Sequence, residues 1–115
     1  MAHTTVLLTD HLGSDKPKVY GNEYVVDAVI NISSLTSGGE VIQASELGLS
    51  TLSCVIVTGA QNPNHYLIQP VITLTTGAYE SSSSVKLHYA DDLGNNSTTS
   101  DTAVGSVRIR AFGNL

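Results

Sequence analysis

Hydrophobic alternation with a period of two constrains this chain more than any other feature. In Glu23 to Ile32, EYVVDAVINI, Tyr24, Val26, Ala28, Ile30 and Ile32 fall on one face, and Glu23, Val25, Asp27, Val29 and Asn31 on the other. The first face is expected inward. The second mixes acids with valines, which predicts an outer side partly covered by another strand, a loop or a subunit. Val85 to Ala90, VKLHYA, alternates in the same way, and at the end of the chain Val107, Ile109 and Ala111 oppose Arg108, Arg110 and Phe112. No stretch carries the 3.6-residue period of an amphipathic helix. About seven to eight short strands recur at roughly ten-residue spacing between turn clusters, the pattern of an all-β, single-domain antiparallel β-sandwich or small barrel.

The 115 residues suit one domain with one core. Residues 1–10 contain Thr4 to Thr9 as a strand, readable as an extended N-terminal arm and able to lie on a neighbour's sheet as easily as on its own. With no Trp, one Phe and five Tyr, the core must be filled by Val, Ile, Leu and Ala. Charged residues make up 13% and Ser and Thr supply about a quarter, giving a polar but weakly charged surface. The net charge is -5, and five Lys and Arg scattered along the chain do not make a basic stripe, so nucleic acid is not expected as a partner. No run approaches the ~18 apolar residues of a membrane span, and no basic-then-apolar signal pattern opens the chain, which is expected to be made in the cytoplasm and to have no membrane partner.

The densest local signals lie in Gly38 to Gly59, GGEVIQASELGLSTLSCVIVTG. Gly38-Gly39 supplies a positive-φ turn, Glu40 to Gln43 a brief strand, Ser45 a cap, and Gly48 a left-handed stop before Thr51 to Val57 runs out as a strand. This corner is expected to redirect the chain between two layers, with Cys54 packed in the core. Gly59 to Asn64 reads as a hairpin connection to Tyr66 to Thr76, whose Pro70 requires a sheet edge or a bulge. Asp91 to Asp101, DDLGNNSTTSD, reads as a polar surface loop.

Chemistry is sparse. His3, His11, His65 and His88 are not spaced as metal ligands, and the Asp91 to Asp101 loop lacks the alternating acids and distal Glu of a calcium loop, so no metal is expected. There is no GxSxG elbow and no Ser or Cys set beside an oriented His, so neither catalytic residues nor a cofactor are expected, and an enzyme is not. Sequons at Asn31, Asn95 and Asn96 lack the secretion signal that would make them meaningful. Arg108 and Arg110 beside Phe112 form a combination enriched at protein interfaces.

The corner Gly38 to Val57, together with Val85 to Tyr89 and the ending VRIRAFGN, resembles small virion proteins of tailed bacteriophages, which open with a short strand, carry a GGE and then an ADLGL-like corner, and close with a glycine tail. The resemblance implies a structural virion protein, a capsid decoration or cement protein contacting the major capsid protein. It also implies a homo-oligomer, with a trimer the specific expectation, since such proteins commonly sit at local three-fold positions. Thr4, Val6, Leu8, Arg108, Arg110 and Phe112 are the expected interface residues. The alternative is a glycan- or receptor-binding β-sandwich module of a phage particle, for which the chain offers five Tyr and no Trp as stacking platforms.

Overall fold

The computed structural model describes residues 2–9, 12–35, 39–61, 66–72, 82–91 and 104–115. The alternating segments become strands of two antiparallel sheets. The strands are β1 (Ala2–Leu7), β2 (Lys18–Tyr20), β3 (Glu23–Ser34), β4 (Glu40–Gln43), β5 (Thr51–Ala60), β6 (Tyr66–Val71), β7 (Ser84–Asp91) and β8 (Gly105–Asn114). The larger sheet runs β1-β3-β8-β5, with β2 also paired to β3. The smaller runs β4-β7-β6. Every pairing is antiparallel, and the inner faces of both sheets share one core, so the architecture is a sandwich.

Alternation sorts the residues as expected. Val26, Ala28, Ile30 and Ile32 of β3 meet Val107, Ile109 and Ala111 of β8 within the larger sheet, and Ile42, Val85, Leu87 and Tyr89 face them from the smaller one. Each large aliphatic side chain taken fully out of water contributes about 1.5–3 kcal/mol, so this two-sided stripe is the main stabilising element.

The corner does what its residues imply, though with a different cap. β4 belongs to the smaller sheet and β5 to the larger, and a single 3-10 turn, Ala44–Leu47, joins them. Gly48 closes that turn at φ 76°, and its N–H donates to the Ser45 carbonyl at 3.2 Å. Ser45 is not the cap. That position is Gln43, whose N–H donates to the Glu46 carboxylate at 2.8 Å. A reciprocal backbone pair between Leu52 and Ser82, at 2.6 and 2.8 Å, then ties the start of β5 back to the smaller-sheet side.

Two expectations are corrected. Cys54 is exposed, because a bulge between Leu52 and Cys54 resets the alternation: Leu52 and Val55 point inward, and Cys54 turns outward beside Phe112. β5 and β6 do not form a hairpin, since β5 pairs with β8 and β6 with β7, so the connection crosses between sheets. Of the N-terminal segment, Ala2–Leu7 pairs along Ala28–Ser34 of its own β3, one of the two placements left open by the sequence. Pro70 sits on β6, at an edge of the smaller sheet, where its missing N–H costs no ladder bond on the open side. The Asp91 to Asp101 loop, His11 and His65 lie outside the described residues, apart from Asp91 at the end of β7.

Candidate functional site

Strand register builds the outer face of the larger sheet row by row. Thr4 stands opposite Asn31, which stands opposite Ser106. Val6 is followed by Val29 and Arg108, and beyond Lys18 come Val25, Phe112 and Cys54. In the row between, Asp27 pairs with Arg110 and then Ile56, while the Leu8 N–H donates to the Asp27 carbonyl at 2.9 Å. Cross-strand partners share a face, so Thr4, Val6, Leu8, Arg108, Arg110 and Phe112 all lie on this one surface.

A concavity of about 300 Å³ opens there, and the segment 14–18 forms one of its walls. Leu8, Val25 and Phe112 give it an apolar lining. Lys16, Lys18, Arg108 and Arg110 line it as well, against Asp15 and Asp27. Four of the chain's five cationic side chains therefore converge on one hollow, although along the sequence they look dispersed. Segment 14–18 thus faces only part of β3's outer side, at Val25 and Asp27.

Asp27 organises the arginines. The Arg110 guanidinium grips it with Nε at 2.8 Å from Oδ1 and Nη2 at 3.0 Å from Oδ2, and Arg108 Nη2 stands 3.6 Å from Oδ2. The Arg110 hydrogen bonds hold the Asp27 carboxyl below its ordinary range against the opposing effect of burial, with the charges of both arginines adding to the depression. The guanidiniums remain about half exposed, at 51% for Arg108 and 47% for Arg110. In the fold, Arg110 already spends two donors on Asp27, and Arg108 is the less committed of the two.

A second polar constellation was not anticipated. His3, on the inner face of β1, places Nδ1 2.5 Å from Glu40 Oε2 and Nε2 2.7 Å from Glu46 Oε1. Thr5 donates to the same Glu46 oxygen at 3.0 Å. Glu40 is 3% exposed, the one charged residue in the core among those described. A neutral imidazole has one N–H and can serve only one carboxylate, whereas the imidazolium serves both. Burial alone would lower the His3 pKa, but hydrogen bonds and charge from Glu40 and Glu46 outweigh it and raise it above 6.5. Burial likewise opposes ionisation of Glu46, yet the Gln43 N–H, His3 and Thr5 together bring it below 4.5. Both ring nitrogens are engaged, so this is a clamp between the edge of one sheet and the corner beside the other. Its only sequence signal is the Glu40 and Glu46 pair flanking the short strand and turn, because a partner about forty residues away is set by topology.

Among the described residues, no cluster of three His, Cys, Asp or Glu is arranged to hold a metal ion, and no helix is long and apolar enough to cross a membrane. Compared with known protein families, curated proteins and solved structures, the chain matches none.

Proposed function

We propose that this chain is a structural virion protein, a decoration or cement protein that binds the major capsid protein of a tailed phage through the outer face of its larger sheet. The observation that carries the proposal is the convergence of Thr4, Val6, Leu8, Arg108, Arg110 and Phe112 on one surface. They come from opposite ends of the chain, and the fold alone brings them together. The corner motif and the glycine-tailed ending, with their likeness to phage virion proteins, support the same reading. A trimer, with copies around a local three-fold position, is the assembly proposed.

The surface has the composition of a protein-binding face, with exposed Val6 and Ile56, half-buried Phe112 and two guanidiniums. The glycan-binding alternative draws no comparable support. Tyr89 is buried, and Tyr66 packs against it edge to face at 5.8 Å, so Tyr89 offers no ring face for stacking a sugar. The test is to image purified particles for this chain and to add it back to depleted particles. Density on the capsid, restored on addition, is the expected result. Absence from particles, with no binding on addition, rejects the reading.

A further inference from the structure

We propose that the hollow between segment 14–18 and the outer face of strands β3 and β8 binds an acidic segment of a partner protein, taking carboxylate side chains against Lys16, Lys18 and Arg108. This deepens the function proposed above, since it names the partner's chemistry at the same face.

Charge distribution is the first argument. The chain carries a net charge of -5, yet among the described residues that line this hollow four are cations and two are carboxylates, one of which is already gripped by Arg110. A positive concavity on an otherwise acidic molecule focuses the field and selects anions over the rest of the protein's surroundings. Preorganisation is the second. Asp27 fixes the Arg110 fork and stands 3.6 Å from Arg108, and the Lys18 ammonium donates to the Lys16 carbonyl at 3.0 Å, so part of the cationic rim is positioned before any ligand arrives.

Size and lining decide between anions. A hollow of about 300 Å³ sits at the bottom of the ordinary ligand-pocket range of about 300–1,000 Å³ and suits one or two side chains. Leu8, Val25 and Phe112 give it apolar surface that a bare phosphate or a nucleic-acid backbone would leave unused, whereas an Asp- or Glu-bearing peptide brings methylenes and neighbouring apolar groups to cover it. The arginine donors match the planar carboxylate.

The test uses the full chain and a fluorescent eight-residue peptide of alternating Glu and Leu, with its Gln-for-Glu counterpart, a single-stranded oligonucleotide and inorganic phosphate as competitors. Anisotropy should show the Glu peptide binding and weakening with added salt, and the Gln peptide at least about tenfold weaker. The double variant Lys16→Ser/Arg108→Ser alters exposed residues only and should keep the melting temperature while weakening the Glu peptide by about tenfold or more. Lys86→Ser, which removes the fifth cation on the other sheet, should leave binding unchanged.

Equal loss in the Lys86 variant would show a general charge effect and overturn the site. So would an unchanged affinity in the double variant, tighter binding of the oligonucleotide or of phosphate, or self-association of the chain in place of peptide binding. Peptide binding by a chain that is absent from particles would reject the virion reading and leave this inference standing. Decoration at full occupancy by a chain that ignores the peptide would do the reverse.

Discussion

His3 ties two elements together with one ring, and its charge state decides how well. The sign follows from its raised folded-state value. The clamp's contribution is fully present below the unfolded value of 6.5 and is lost as the pH rises through the higher folded value. Glu46 is shifted down, so its share is present above 4.5 and lost as the pH falls below that through its folded value. Stability from this site should therefore be greatest between those limits, in mildly acidic solution. Denaturant titrations from pH 5 to about 9 should show wild-type stability declining on the alkaline side, and His3→Ala should flatten that slope. The same variant should lose about 1–3 kcal/mol near pH 6, because it removes a hydrogen-bond partner from the buried Glu40 side chain. An identical slope in the variant would mean that the clamp does not titrate as its geometry dictates.

Residue chemistry of this kind was hidden in the sequence, while the element scale was largely legible. Strand faces in β3, β7 and β8 follow from alternation, since a one-residue slip would turn every Val and Ile to water. The corner was legible because glycine at positive φ leaves few alternatives. Cys54 was misplaced for a local reason: alternation continues past a bulge on paper but not in the sheet. The false hairpin after β5 has a topological cause, since turn residues mark a reversal of direction without saying which sheet the chain enters.

Two glycines on the framework make separable predictions. Among the described residues only Pro17 Cγ lies near the absent side chain of Gly48, at 3.8 Å, so Gly48→Val should cost about 1–3 kcal/mol through backbone strain at φ 76°. Gly113 is the opposite case, since a Cβ there would lie 1.8 Å from the Thr51 carbonyl oxygen, an overlap that backbone must move to relieve. Gly113→Ala should therefore cost at least about 1–3 kcal/mol and disturb the pairing of β5 with β8. Amide exchange along β5 distinguishes the two, with faster exchange expected only in the Gly113 variant. Leu49→Ala, at a side chain 3% exposed under the corner, should cost about 2–5 kcal/mol.

At the scale of the whole molecule, the sandwich measures 40 × 38 × 22 Å and presents two broad faces with different characters. The outer face of the larger sheet carries the cationic hollow and Val6, while the outer face of the smaller carries Leu67 and Val71 with Lys86. Deleting residues 1–10 does not test the first face cleanly, because it also strips β1 from β3 and removes His3 from Glu40. Point changes at exposed positions do. Val6 is 59% exposed and Leu67 71%, so neither Val6→Glu nor Leu67→Ser should shift the melting temperature appreciably. Combining Val6→Glu with Arg108→Ser should lower occupancy on depleted capsids by about tenfold or more, since it puts an unpaired acid on an apolar patch and removes a cation beside it. Leu67→Ser should decorate like wild type. Occupancy counted by quantitative gel or by cryogenic imaging separates the outcomes, and loss in the Leu67 variant alone would assign attachment to the smaller sheet.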